Sequence, residues 1–87
     1  MTRYSTQETE LVILKCHISK ETPKAILADK ILEINGEEAE GCVEDMNKLQ
    51  NQWFPLSQCE KILRNTGGLP DELHVKKWIC VNKGLME

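Results

Sequence analysis

From position 11 to 18 the chain reads Leu-Val-Ile-Leu-Lys-Cys-His-Ile, and its apolar residues keep a period of two. Val12, Leu14, Cys16 and Ile18 fall on one side of an extended chain. Leu11, Ile13, Lys15 and His17 fall on the other side, which turns polar towards its end. The β-branched residues suit the same conformation. A half-buried strand must find neighbours for its backbone N–H and C=O groups, so this stretch commits the chain to a sheet.

The rest of the sequence supplies those neighbours. Lys20-Glu21-Thr22-Pro23 interrupts the first strand, and Lys24-Ala25-Ile26-Leu27-Ala28 follows as a second extended run, so a hairpin is predicted. Ile31 to Ile34 either prolongs that run or begins another, and Asn35-Gly36 is a strong turn signal. Val43, Met46 and Leu49 recur every three residues, which predicts one or two helical turns lying on the sheet. Residues 58–64 read either way: Ser57 and Glu60 match a helical capping box, while the resemblance described below implies a strand. Asn65-Thr66-Gly67-Gly68-Leu69-Pro70 is a loop, and Glu72 to Val75 alternates as a short strand with His74 exposed. A short helix over 76–83 closes the chain, with Trp78 and Val81 facing inward and Gly84 as its stop. The fold class is α+β and β-rich: a small antiparallel sheet or partly open barrel with one or two short helices.

Trp53-Phe54-Pro55 holds one of two tryptophans and the only phenylalanine. On an extended chain the two rings point to opposite faces, so one enters the core and one stays half exposed. Pro55 lacks an N–H and therefore marks a strand end, an edge or a bulge. The expectation is that Trp53 and Trp78 are buried against Val12, Leu14, Leu27 and Val75, and that Phe54 is the ring left for a partner.

Eighty-seven residues make one small domain. Residues 1–9 are polar and read as a flexible arm, and 10–87 read as the folded unit with an acidic insert at about 33–52. No apolar run is long enough to span a bilayer and no secretory leader is evident, so a soluble protein of the host cytoplasm, away from membranes, is expected. Cys16, Cys42, Cys59 and Cys80 are separated by 26, 17 and 21 positions. With no close pairs they read as reduced thiols, and no metal or other cofactor is expected.

The net charge is −3, which weighs mildly against a protein that chiefly grips phosphate backbones. The acids are uneven: Glu33, Glu37, Glu38, Glu40, Glu44 and Asp45 fall within thirteen positions that contain no Lys or Arg. Such a run is either a solvated face or a surface that meets a basic partner. The parts of an active site are missing from the pattern. Gly67-Gly68 is too short for a phosphate loop, no serine lies in a nucleophile elbow, and Cys16 and His17 diverge on a strand. An enzyme is not expected.

Glu21-Thr22, Lys24-Ala25-Ile26-Leu27, Trp53-Phe54-Pro55-x-Ser57-Gln58, Trp78 and Lys83-Gly84-Leu85 together resemble a family of small, mostly uncharacterised β proteins of bacteriophages and mobile elements. The chain departs from that pattern at Leu56, where Lys is usual, at Lys76, where Pro is usual, and in its longer acidic stretch. The resemblance implies a β-rich fold, a strand at 58–64 and an accessory gene of a phage. It implies no shared activity.

Two functions are therefore expected in competition. The first is an inhibitor or adaptor, such as an anti-CRISPR or other counter-defence protein, that binds a host protein, for instance part of a nucleic-acid-handling complex, through Glu33, Glu37, Glu38, Glu40, Glu44, Asp45 and Phe54. The alternative is a single-stranded nucleic-acid-binding accessory of replication or recombination, using Trp53, Trp78, Lys76 and Lys77. A homo-oligomer paired through a strand edge is a third use of the same fold.

Overall fold

The computed structural model describes residues 10–86, so the N-terminal arm expected at 1–9 lies outside the described residues. Six strands form one antiparallel sheet: β1 (Leu11–Glu21), β2 (Ala25–Ile34), β3 (Glu37–Glu38), β4 (Gln50–Pro55), β5 (Cys59–Leu63) and β6 (Asp71–Lys76). A short helix, α1 (Lys77–Asn82), follows β6. β1 lies between β2 and β6, and β5 pairs with β6. β3 and β4 both pair with the far edge of β2, at its end and its beginning respectively. The sheet is not closed, and the β-rich α+β class predicted from the pattern is the fold observed.

Alternation places the inner face of β1, since Val12, Leu14, Cys16 and Ile18 are all buried. Leu14 and Val12 stand opposite Leu73 and Val75 of β6, which are fully buried as well. The β1–β2 turn is held by Thr22, whose hydroxyl accepts the Ala25 N–H at 3.0 Å. Asn35 and Gly36 both have positive φ, 52° and 85°, as a tight two-residue hairpin turn demands. Asn35 also fastens that turn to β1, because its Oδ1 accepts the Ile13 N–H at 2.9 Å and its own N–H donates to the Ile13 carbonyl.

The pairing of β1 with β2 shifts register three times, between Lys15 and Cys16, between His17 and Ile18, and between Ile18 and Lys20. Each bulge resets which residues face inward. Ile26, Ala28, Ile31 and Ile34 consequently make the inner face of β2, a spacing that simple alternation does not produce.

The acidic insert is folded as β3 followed by two 3-10 turns, Ala39–Gly41 and Met46–Leu49. Leu49 is buried and Val43 half-buried, as expected of turns lying on the sheet, but Met46 points out and is 46% exposed. Residues 59–63 are strand, as the family resemblance implies and against the capping-box reading. Ser57 does not cap: its hydroxyl accepts from the Gln58 side chain at 3.2 Å.

The aromatic residues invert the expectation. Phe54 is completely buried, whereas Trp53 is 41% and Trp78 39% exposed. Register explains the first pair: Phe54 lies opposite inward-facing Ile26, and Trp53 lies opposite Leu27, which is only half-buried. In α1 it is Ile79 and Cys80 that enter the core, leaving Trp78 and Val81 on the outer side. The Trp78 indole N–H donates to Gln58 Oε1 at 2.9 Å. Gly84, with φ of 79°, ends the helix and turns Leu85 into the core.

Candidate functional site

The six acids of the insert are spread around its folded segment rather than stacked in one patch. Glu33 and Glu38 stand directly opposite each other on β2 and β3. Together with Glu40 they line a cleft of about 350 Å³ whose wall also includes Lys30, Leu32 and Met46. Leu32 is the extra residue of a β2 bulge and is 40% exposed, so the cleft combines apolar side chains with three carboxylates. Glu44 and Asp45 border a different cleft beside Lys48, and Glu37 a third near Asn35. Asp45 has a local duty too, since its carboxylate accepts the Asn47 N–H at 3.0 Å and caps the second 3-10 turn.

None of the six takes part in an ion pair among the described residues; the seven pairs found there lie elsewhere on the sheet. Like charges facing each other across a ladder are destabilising, by a fraction of a kcal/mol up to about 1. The Glu33–Glu38 pair is therefore a local repulsion that no ion pair relieves, next to exposed apolar surface and with Lys30 in the same cleft.

Phe54 must be removed from the contact set. Its ring is sealed in the core, with the Lys83 ammonium 5.4 Å from the ring centre on its remaining side. Lys76 and Lys77, candidates for a phosphate-binding groove, are committed to neighbours: Lys76 faces Glu60 at 4.0 Å and Lys77 faces Glu10 at 3.6 Å.

Sequence reasoning missed the most buried charge. Asp71, 5% exposed at the start of β6, accepts N–H groups from Ile18 at 3.0 Å and Asn65 at 2.8 Å. Arg64 stands beside it, with Nε 3.6 Å from the carboxylate, and pairs on its other side with Glu21. Burial alone would raise the Asp71 pKa, but the two N–H donors and Arg64 together outweigh it and hold the carboxyl below its ordinary value. The same residues border a cleft of about 410 Å³ under the 65–70 loop. The only hint in the sequence is an acid following Pro70 at a strand start, which by itself says nothing about a partner.

The four cysteines are free, with Cys16 and Cys80 buried and Cys42 and Cys59 half-buried. Burial pushes Cys16 and Cys80 up to about 12 and Cys59 to about 11. Among the described residues no group of three or more His, Cys, Asp or Glu is placed to hold a metal ion. No helix there is long and apolar enough to cross a membrane. Comparison with known proteins finds no matching family model, no matching curated protein and no matching solved structure.

Proposed function

We propose that this chain is a non-enzymatic accessory protein of a phage or mobile element that acts in the host cytoplasm by binding a host protein, with the acidic end of the sheet as the contact surface. The observation that carries the reading is the Glu33–Glu38 pair, set beside exposed Leu32 and Met46 in a cleft where Lys30 is the one base against three carboxylates. A partner that lays a Lys- or Arg-rich segment with an apolar side chain into this cleft relieves the repulsion and covers the apolar surface in one step. Nucleic-acid-handling proteins present such segments, and blocking one would be a counter-defence role for a phage accessory protein. Glu33, Glu38 and Glu40 make the central contact, while Glu37, Glu44 and Asp45 add a surrounding negative field that speeds encounter.

The test is capture from nuclease-treated host lysate with wild-type protein and with a Glu37→Lys, Glu38→Lys, Glu40→Lys variant, circular dichroism serving as the folding control. A protein retained by the wild type, lost by the folded variant and weakened by added salt supports the reading. Equal retention by both refutes it.

A further inference from the structure

The outer face at the opposite end of β2 has the reverse character. On β2 and β4, Trp53 stands opposite Leu27, and Pro55 stands opposite Ala25, giving a strip of apolar side chains. Trp53 is 41% exposed within it. Lys20 of β1 is opposite Leu27 on the other side, so Lys20, Leu27 and Trp53 form one row across three strands. A second row, three residues along β2, runs His17, Lys30, Gln50. Lys24 lies in the hairpin turn that adjoins the strip, its carbonyl accepting the Leu56 N–H at 2.8 Å.

Lys20, Lys24 and Lys30 are all exposed, and none is ion-paired among the described residues. Of the acids nearby, Asp29 holds His17 at 2.8 Å and Glu21 holds Arg64, while Lys30 also borders the cleft of Glu33, Glu38 and Glu40. This face thus carries three lysines outside any ion pair among the described residues around an indole, in a chain whose net charge is −3, with Lys20 and Lys24 set away from the acidic cleft that Lys30 borders.

We propose that this face binds single-stranded nucleic acid, with one base stacked on Trp53 and the flanking phosphates received by Lys20, Lys24 and Lys30. A flat indole on a sheet surface offers a stacking plane that any base can use. Adjacent strands lie about 4.8 Å apart, so Lys20 and Trp53, two strands apart, are separated by roughly 10 Å at the backbone. That places the ammonium groups around the ring rather than on it, where the phosphates of a stacked nucleotide and its neighbours run. A duplex buries its base faces in its own stack and cannot use the indole. The acidic cleft lies towards the β3 end of β2 and meets this face at Lys30 and Gln50, which line both.

The test is fluorescence anisotropy of labelled oligo(dT) of about twenty nucleotides at several salt concentrations, with a duplex of equal length as comparison. The single strand should bind and the duplex should bind more weakly. Trp53→Ala should weaken binding by about 5- to 150-fold, the loss of one aromatic–base stack, and Trp53→Phe should recover part of it. Reversing Lys20, Lys24 and Lys30 to Glu should weaken binding and lower the slope of log affinity against log salt by about 2, near 0.7 for each lysine. Lys76→Gln and Lys77→Gln should leave that slope unchanged.

No binding at low salt overturns the proposal. So does duplex binding as tight as single-strand binding, or a folded Trp53→Ala variant that binds like the wild type. Light scattering adds a last check: if the lysine reversal instead dissolves a self-association seen at low salt, the face is occupied by the acidic end of a second copy, and the proposal fails.

Discussion

The carboxylate of Asp71 accepts the backbone N–H of Ile18 at 3.0 Å, tying the first residue of β6 to the far half of the central strand. Its other oxygen accepts from Asn65. Asp71→Asn leaves only one acceptor for two donors, one of them buried, and the expected cost is about 1–3 kcal/mol. The folded carboxyl titrates below its ordinary 3.8, so its contribution is complete above that value and is lost as pH falls through the lower, folded one. Urea unfolding of wild type and variant should show a gap at neutral pH that narrows in acid. A gap constant down to about pH 2 would contradict the assignment.

Phe54 and Trp53 should separate sharply in a stability measurement. Phe54→Ala empties a fully buried site and should cost about 3–5 kcal/mol. Trp53→Ala loses mainly its cross-strand contact with Leu27, about 0.2–1 kcal/mol. Native tryptophan emission should be that of partly solvated indoles, quenchable by acrylamide. Comparable losses from the two substitutions would show the register to be wrong.

Glu38→Lys should stabilise the free protein by about 0.2–1 kcal/mol, because it turns a like-charge cross-strand pair into an attractive one. The gain should shrink with salt. Thermal melts at low and high ionic strength measure it, and a destabilised variant would count against the pairing of β3 with β2.

Cys42 should be the first thiol to react with iodoacetamide, although desolvation and the neighbouring Glu37 carboxylate raise its pKa above the ordinary 9.0. Cys16, Cys59 and Cys80 stay protonated well above neutral pH, and Cys16 and Cys80 are sealed in the core. Mass spectrometry of native protein near pH 8 should find one fast label, with the other sites reacting after unfolding. Fast modification of Cys16 or Cys80 would show that the core opens readily.

The β1–β2 hairpin, the strands ending at Pro55 and running to Val75, and the Asn35-Gly36 turn were legible because each rests on local chemistry: a two-residue period, a side chain that tolerates positive φ, a proline at a strand end. The inside-outside assignment of Trp53 and Phe54 was not. Adjacent rings must take opposite faces, but which is inner depends on pairing with β2, and the bulges of β2 break the alternation from which that pairing would be inferred. The acidic run was visible as composition, yet its division into Glu33, Glu38 and Glu40 on one side and Glu44 and Asp45 on another depends on the two 3-10 turns. Asp71 could not be found at all, since Ile18 is 53 residues away.

The central strand is also the first one made. β1 receives one neighbour from the next strand in sequence, but its other neighbour, β6, begins at Asp71. During translation, the hairpin of β1 and β2 must wait with one edge of β1 unpaired until about forty further residues have emerged. At about 5–20 residues per second this is a delay of several seconds, in which an apolar strand edge is open to other nascent chains. High contact order of this kind makes folding slow and late. The yield of native protein should therefore depend on elongation rate and on chaperones that shield strand edges, more than on the stability of the finished sheet.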